Sequence, residues 1–403
     1  MTDIAVIGAG HVGLTLLTDL VSTQDRHGLS ARALTVRDKP GATARRIAGP
    51  FIRTNMMNGE KDRVELRPEH FGQLSDPRTD GLLEGARHII VTVPDIPSVR
   101  LRLLDRISRL KSLPGKVITF VRAGQGGQPV LAEWARRTPE LRDTSLVLIE
   151  DSFYGTRAIG TCISYKRKLT VNVSIYSRTP EAAADDLRAL FPLGHLIGRP
   201  SWPDVEVRPG IGLQFDPLGY IIHVGIALDS RNLERTRAGI VYQHYTDGVH
   251  RELAEHLDAL DQERVQLAAA YGVEAQTFPR IIERQYGIPY QSDFYQMMQS
   301  CREIYRSVSC ASIDELKQSR IVREDIPGLR TMRWLADAAG IRLPATERYE
   351  AQVMRTAAEI DVHGSDLVGY VPELSAIPAS LPHLTRLLTT PHDFELADAT
   401  GRI

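Results

Sequence analysis

The chain has 403 residues, with 49 lysines and arginines against 50 aspartates and glutamates and a formal net charge of −1. That balance gives no global charge bias toward nucleic acid, and the length suggests two or three domains with ample core. No apolar run approaches the ~20 residues of a membrane span, and Cys162, Cys301 and Cys310 form neither a metal-ligand spacing nor a disulfide framework.

Residues 4–7 (IAVI) are a continuous apolar run, followed at once by Gly8-Ala9-Gly10-His11-Val12-Gly13 and an amphipathic stretch, LTLLTDLVS. Strand, glycine turn and helix start, in that order, are the context that gives a GxGxxG match its meaning. Gly8 permits the tight turn, Gly10 lets the backbone approach a pyrophosphate, and Gly13 lets the helix pack on the strand. The free N–H groups at the helix start, around His11 and Val12, favour phosphate charge. The rival reading is a glycine turn that binds no nucleotide. Nothing ahead of this stretch resembles a signal peptide, so a cytoplasmic protein is expected.

Residues 32–37 (RALTVR) read as the second strand, whose end meets the adenosine ribose. Arg37-Asp38-Lys39 stands there, with Arg45 and Arg46 shortly after. An acid at this point selects NAD through the ribose 2′-OH; cations select NADP through its 2′-phosphate. Arg37 and Lys39 flank the single acid, so NADP is expected, with NAD left open through Asp38. Residues 88–93 (HIIVTV) form a third strand, and its end places Val93 and Pro94 beside the nicotinamide. A helix over 98–110 and a strand over 117–121 follow. The glycine-rich turn 122–128 (RAGQGGQ) then faces nicotinamide or substrate, or is a plain loop. Residues 146–149 are a further buried strand, and the alternation in 169–175 (LTVNVSI) marks an edge or antiparallel strand. Residues 1–200 therefore read as an α/β, Rossmann-type dinucleotide-binding domain.

Gly198-Arg199-Pro200-Ser201-Trp202-Pro203 reads as a linker. Residues 201–403 read as a mainly α-helical substrate domain, with a long helix over 242–271 and shorter ones over 278–286, 290–307, 312–318, 329–340 and 345–361. The substrate cleft is expected between the two domains, and the apolar helix faces point to a homodimer.

A nicotinamide enzyme needs a proton donor near the reacting carbon and a cation for a substrate carboxylate. His223, after the apolar approach Gly219-Tyr220-Ile221-Ile222, is a candidate donor; a satisfied core histidine is the rival reading. His244, His250 and His256 are six apart, share no helical face, and read as surface residues rather than a metal site. In RIVREDIPGL (320–329), Arg320 is suited to clamp a carboxylate and Asp325 to orient a histidine. The rival there is a solvated turn before a helix.

These features together resemble the opine dehydrogenase family. Arg320, Glu324, Asp325 and Pro327 match its R-x-x-x-E-D-x-P segment, and the stretch after Tyr242 is similar to its helical region. One departure is the usual Asn-Pro three residues before the histidine: here Gly219-Tyr220 takes that place and Asp216-Pro217 lies further upstream. The resemblance implies a catalytic triad of His223, Arg320 and Asp325 at the domain junction. It implies reductive condensation of an amino group with an α-keto acid such as pyruvate or 2-oxoglutarate, using NADPH. Phe153-Tyr154-Gly155-Thr156-Arg157 and Tyr165-Lys166-Arg167-Lys168 further resemble the opine-metallophore branch, the staphylopine and pseudopaline dehydrogenases. That likeness implies a nicotianamine-like amine and makes Tyr154, Thr156 and Arg157 candidates for binding the keto acid. Two rivals stand beside it. A 2-hydroxy-acid or 6-phosphogluconate-like dehydrogenase would need a lysine in the cleft, and the sequence singles out none. An NADP-binding sensor would bind cofactor without turnover.

Overall fold

The computed structural model describes residues 3–36, 48–190, 195–196, 199–200, 204–207, 212–216 and 218–389. In chain order its strands are β1 (Ile4–Ile7), β2 (Ala31–Thr35), β3 (Gly49–Asn55), β4 (Lys61–Leu66), β5 (Phe71–Gln73), β6 (His88–Val91), β7 (Val117–Phe120), β8 (Ser145–Ile149), β9 (Tyr154–Ile159), β10 (Cys162–Arg167), β11 (Thr170–Tyr176), β12 (His195–Leu196), β13 (Arg199–Pro200) and β14 (Asp204–Val207). The main sheet has the order β14-β11-β8-β7-β6-β1-β2-β5. From β8 to β5 every neighbouring pair is parallel. Such strands are covered on both faces, which is why β1, β6 and β7 read as unbroken apolar runs. The order reverses between β1 and β6, and in doubly wound sheets that crevice takes the dinucleotide.

β11 runs antiparallel to β8, as its alternation implies, yet it is interior: β14 pairs with its other side. The main sheet thus continues past residue 200 to Val207. The residues that bear on NADP selection, Arg37, Asp38, Lys39, Arg45 and Arg46, lie outside the described residues.

A second sheet, of order β4-β3-β10-β9, has no counterpart in the sequence reading. It packs on the first helix, His11–Ser22, through a buried charge cluster. Asp19 of that helix receives Arg53 Nη1 of β3 at 2.5 Å, Arg167 Nη2 of β10 at 2.7 Å, and the Tyr154 hydroxyl of β9. Asp19, Arg53 and Arg167 are all about 95 % buried. Desolvation opposes the ionised carboxyl, but Arg167 and Arg53 outweigh it and keep the Asp19 pKa below the ordinary value.

The second unit is mainly helical, as expected, and shares one continuous apolar core with the first. The long helix begins only at Arg251, where the His250 side chain accepts the Leu253 N–H; residues 242–249 are irregular. The predicted helix over 290–307 contracts to Phe294–Ser300. The segment read as a possible solvated turn is instead a π-helical turn, Ile321–Asp325, running directly into the helix Ile326–Ala339. Such insertions of one extra residue are frequent at functional sites. No described helix is long and apolar enough to cross a membrane.

Replacing Asp19 by alanine leaves two buried guanidinium groups without their shared carboxylate. The expected cost is about 3–5 kcal/mol of stability. Urea unfolding reads it as a lower midpoint at unchanged slope; an unaltered midpoint would show that the cluster does not hold the two sheets together.

Candidate active site

The glycine turn has the geometry a dinucleotide needs. Gly8 has a φ of +118°, and a Cβ there would sit 2.7 Å from Thr92 Oγ1. A Cβ on Gly13 would overlap the Gly8 carbonyl oxygen. Both positions therefore require glycine. At Gly10, by contrast, a Cβ would meet nothing within 4 Å. Gly10 is the uncapped N-cap of the helix His11–Ser22, so its open side leaves helix N–H groups facing free space. This is a cradle shaped for pyrophosphate, and the residues present fit the group.

His223 sits in the helix Gly219–Ala227 at the start of the helical unit, with its side chain 16 % exposed. Its Nδ1 lies 2.8 Å from Asp325 Oδ2, and its Nε2 lies 2.8 Å from the Tyr245 hydroxyl. Arg320 lies beside the same ring, Nη2 being 2.8 Å from Nδ1 and Nε 3.5 Å from Asp325 Oδ2. The three residues singled out in the sequence therefore meet.

Asp325 is completely buried. Burial alone would neutralise it, but Arg320, His223 and Arg122 outweigh that and hold its carboxyl well below the usual range. Hydrogen bonding to the carboxylate favours a proton on Nδ1, with Nε2 then accepting from Tyr245; Arg320 Nη2, a donor 2.8 Å from the same Nδ1, opposes that tautomer. Burial first, then Arg320, lower the His223 pKa; Asp325 opposes them without cancelling them. Burial and Arg320 thus favour the neutral imidazole. Burial pushes the Tyr245 pKa up to about 12, so its hydroxyl is a donor.

Sequence reasoning missed several members of this site. Arg122, the first residue of the RAGQGGQ turn, has a φ of +61°, a conformation that L-residues rarely adopt. Its guanidinium reaches Asp151 Oδ1 at 3.0 Å, Glu324 Oε2 at 3.2 Å and Asp325 Oδ1 at 3.5 Å. Gln125 Nε2 donates to Asp325 Oδ1 at 2.8 Å. The turn thus serves the triad rather than acting as a plain loop. Its placement at a strand's carboxyl end was the available signal. His244 is not a surface residue. It is 95 % buried, its ring centre lies 5.0 Å from that of Tyr245, and its Nε2 has no partner among the described residues. Burial drives its pKa down to about 3.

A cavity of about 990 Å3 joins these parts. His11 and Val12 of the glycine turn line it, as do His223, Arg320 and Tyr245. Thr156 and Arg157 also line it, Thr156 Oγ1 lying 2.7 Å from Thr15 Oγ1. His11 Nδ1 accepts from the Ala158 N–H, which ties β9 to the turn. Tyr154 reaches the cavity wall, but its hydroxyl is committed to Asp19. Val93 is buried against the glycine turn and Pro94 is exposed. Their carbonyls both accept from Arg100.

Residues 209–351 match the family model of the α-helical domain of NAD/NADP octopine/nopaline dehydrogenase. No curated protein matches the sequence. Among solved structures, apo yersinopine dehydrogenase is similar in fold, with 13% identity, 96% of this chain and 98% of that one covered, and a TM-score of 0.67. Octopine dehydrogenase with NADH and L-arginine gives 16% identity, coverage of 96% and 98%, and a TM-score of 0.64. NADP+-bound yersinopine dehydrogenase gives 12% identity, coverage of 97% and 99%, and a TM-score of 0.63. The likeness at these identities is one of fold.

The depressed His244 pKa has a consequence for stability. An unfolded histidine titrates near 6.5, whereas this one stays neutral in the fold to about 3. Between those values the unfolded chain binds the extra proton, so stability is full above about pH 6.5 and falls as the pH is lowered. The slope from this group is about 1.4 kcal/mol per pH unit. Chemical denaturation from pH 7 to 4 should show a slope shallower by about one proton in His244→Phe. Equal slopes would contradict the burial of a neutral ring.

Proposed function

We propose, from a helical unit of the octopine/nopaline dehydrogenase family set against a dinucleotide-binding sheet, that this chain is an NADPH-dependent opine dehydrogenase. It condenses an amino group with an α-keto acid and reduces the resulting imine. The observation that carries the reading is the bonded set His223, Asp325 and Arg320 on a cavity that also reaches the glycine turn.

Gly8, Gly10 and Gly13, with the helix N–H groups at His11 and Val12, would hold the pyrophosphate. The bound nicotinamide supplies the hydride that reduces the imine carbon. The residues of the chain supply the rest. Arg320, 40 % exposed on the cavity side of the triad, holds a substrate carboxylate beside the reacting carbon. His223 accepts the proton released as the amine attacks the keto carbon. The alkoxide oxygen takes a proton from solvent, and His223 returns its own to the resulting hydroxyl, so water leaves and the C=N bond forms as an iminium that keeps the nitrogen's remaining proton. Asp325 keeps the proton on Nδ1 and stabilises the transient imidazolium. NADP rather than NAD rests on Arg37 and Lys39, with the NAD reading resting on Asp38. The reading of the product as an opine metallophore rests on the Phe153–Arg157 and Tyr165–Lys168 resemblance.

NADPH oxidation should require amine and keto acid together. Turnover on a keto acid alone would replace this reading with a simple hydroxy-acid dehydrogenase.

His223→Ala and Asp325→Asn should each lower kcat/KM by about 10²–10⁴-fold with little change in cofactor affinity. Near-normal turnover in His223→Ala would remove the histidine from the chemistry.

A further inference from the structure

The Tyr165-Lys166-Arg167-Lys168 run contains a side chain that the mechanism leaves unused. Lys166 of β10 stands opposite Gly155 of β9. Its stem crosses the glycine: a Cβ on Gly155 would lie 3.0 Å from Lys166 Cγ and would overlap Cε. The glycine therefore opens the path by which the lysine reaches the cavity, whose wall it lines. There its Nζ lies 3.1 Å from the Ile304 carbonyl oxygen and 3.3 Å from the centre of the Tyr305 ring, with the Tyr286 ring at 5.1 Å.

Lys166 is 95 % buried, and its amine faces no carboxylate within ion-pair distance among the described residues. Arg53, Arg167, Arg264 and Lys168 are comparably buried, and each holds one. A buried cation without a counter-charge is costly, and on a cavity wall the missing charge can come from a ligand. Burial draws the Lys166 pKa well below its ordinary value. Cys301 and Asp151 oppose the shift and Lys168 adds to it. An arriving carboxylate would oppose that shift by favouring the charged amine.

The position of the amine indicates which part of a ligand it meets. The Tyr305 ring packs on Tyr245 at 4.6 Å between centres, and Tyr245 packs on His223 at 5.7 Å. Two tyrosine rings thus separate Lys166 from the reacting centre, where Arg320 already serves the nearby carboxylate. We propose that Lys166 anchors a second carboxylate, at the end of the bound substrate remote from the reacting carbon, so that the cavity selects a dicarboxylic reactant. The inference rests on the reading of this cavity as the opine-forming site. The distal carboxylate belongs either to the keto acid or to the amine.

Calorimetry on the NADP+-loaded protein near pH 8 tests it, with glutarate as an unreactive dicarboxylate and butyrate as its monocarboxylate control. Glutarate should bind the wild type. Its affinity should fall at least tenfold in K166Q and recover largely in K166R; butyrate should not distinguish the three. Equal glutarate affinity in wild type and K166Q would overturn the proposal. Steady-state rates then locate the carboxylate. K166Q should abolish a preference for 2-oxoglutarate over pyruvate, or for L-glutamate over L-alanine; a K166Q enzyme that keeps both preferences also overturns it. Lys166-dependent glutarate binding without turnover of any amine and keto-acid pair would leave the anchor standing and sink the opine reading instead.

Discussion

The carboxylate of Asp325 is the constraint on which the site depends. It is wholly buried, and the groups that keep it ionised come from both halves of the chain. His223 and Arg320 belong to the helical unit, while Gln125 and Arg122 come from the turn after β7. The contacts that orient the His223 ring therefore also dock one unit on the other. Space for the carboxylate is made by Gly219, where a Cβ would overlap Asp325 Oδ1 and stand 2.9 Å from Gln125 Nε2. A buried charge of this kind is tolerated only when its partners are complete, so the surrounding residues have little freedom to vary.

The constraint propagates outward. Arg122, in a left-handed backbone conformation, gives its guanidinium to three carboxylates, on Asp151, Glu324 and Asp325. Glu324 in turn accepts the Asp95 N–H just beyond β6. Asp95 also receives the Tyr370 hydroxyl and Arg100. The π-helical turn that carries Glu324 and Asp325 thus meets the carboxyl ends of β6 and β7 at the edge of the dinucleotide crevice. His223, Arg320 and the carboxyl ends of β6 and β7 are held relative to one another by one polar network.

Much of this was legible in the sequence, for identifiable reasons. Buried parallel strands leave continuous apolar runs, so β1, β6, β7 and β8 were readable, and the glycine turn is a local motif. That His223 would meet Arg320 and Asp325 was readable because the last two lie close together on one segment whose spacing resembles a known family. The second sheet was not. β4 turns only Val64 and Leu66 inward among charged neighbours, and β10 pairs in parallel with β3 across more than a hundred residues. Nothing local distinguishes His244 and Tyr245 from a solvated stretch. Their burial comes from packing against His223, Tyr305 and the 301–309 segment. Lys166 was hidden in a run of cations, and only the pairing with Gly155 shows that it alone of them turns toward the cavity without a carboxylate.

The central claim is that Asp325 holds His223 as a neutral imidazole protonated on Nδ1, with Nε2 left as the acceptor bonded to the Tyr245 hydroxyl. Nitrogen-15 NMR of histidine-labelled protein, with His223 assigned by difference from His223→Ala, measures this directly. The account predicts a protonated Nδ1 and an unprotonated Nε2 at pH 7, and loss of that tautomeric preference in Asp325→Asn. An Nε2-protonated ring or an imidazolium at pH 7 would contradict it.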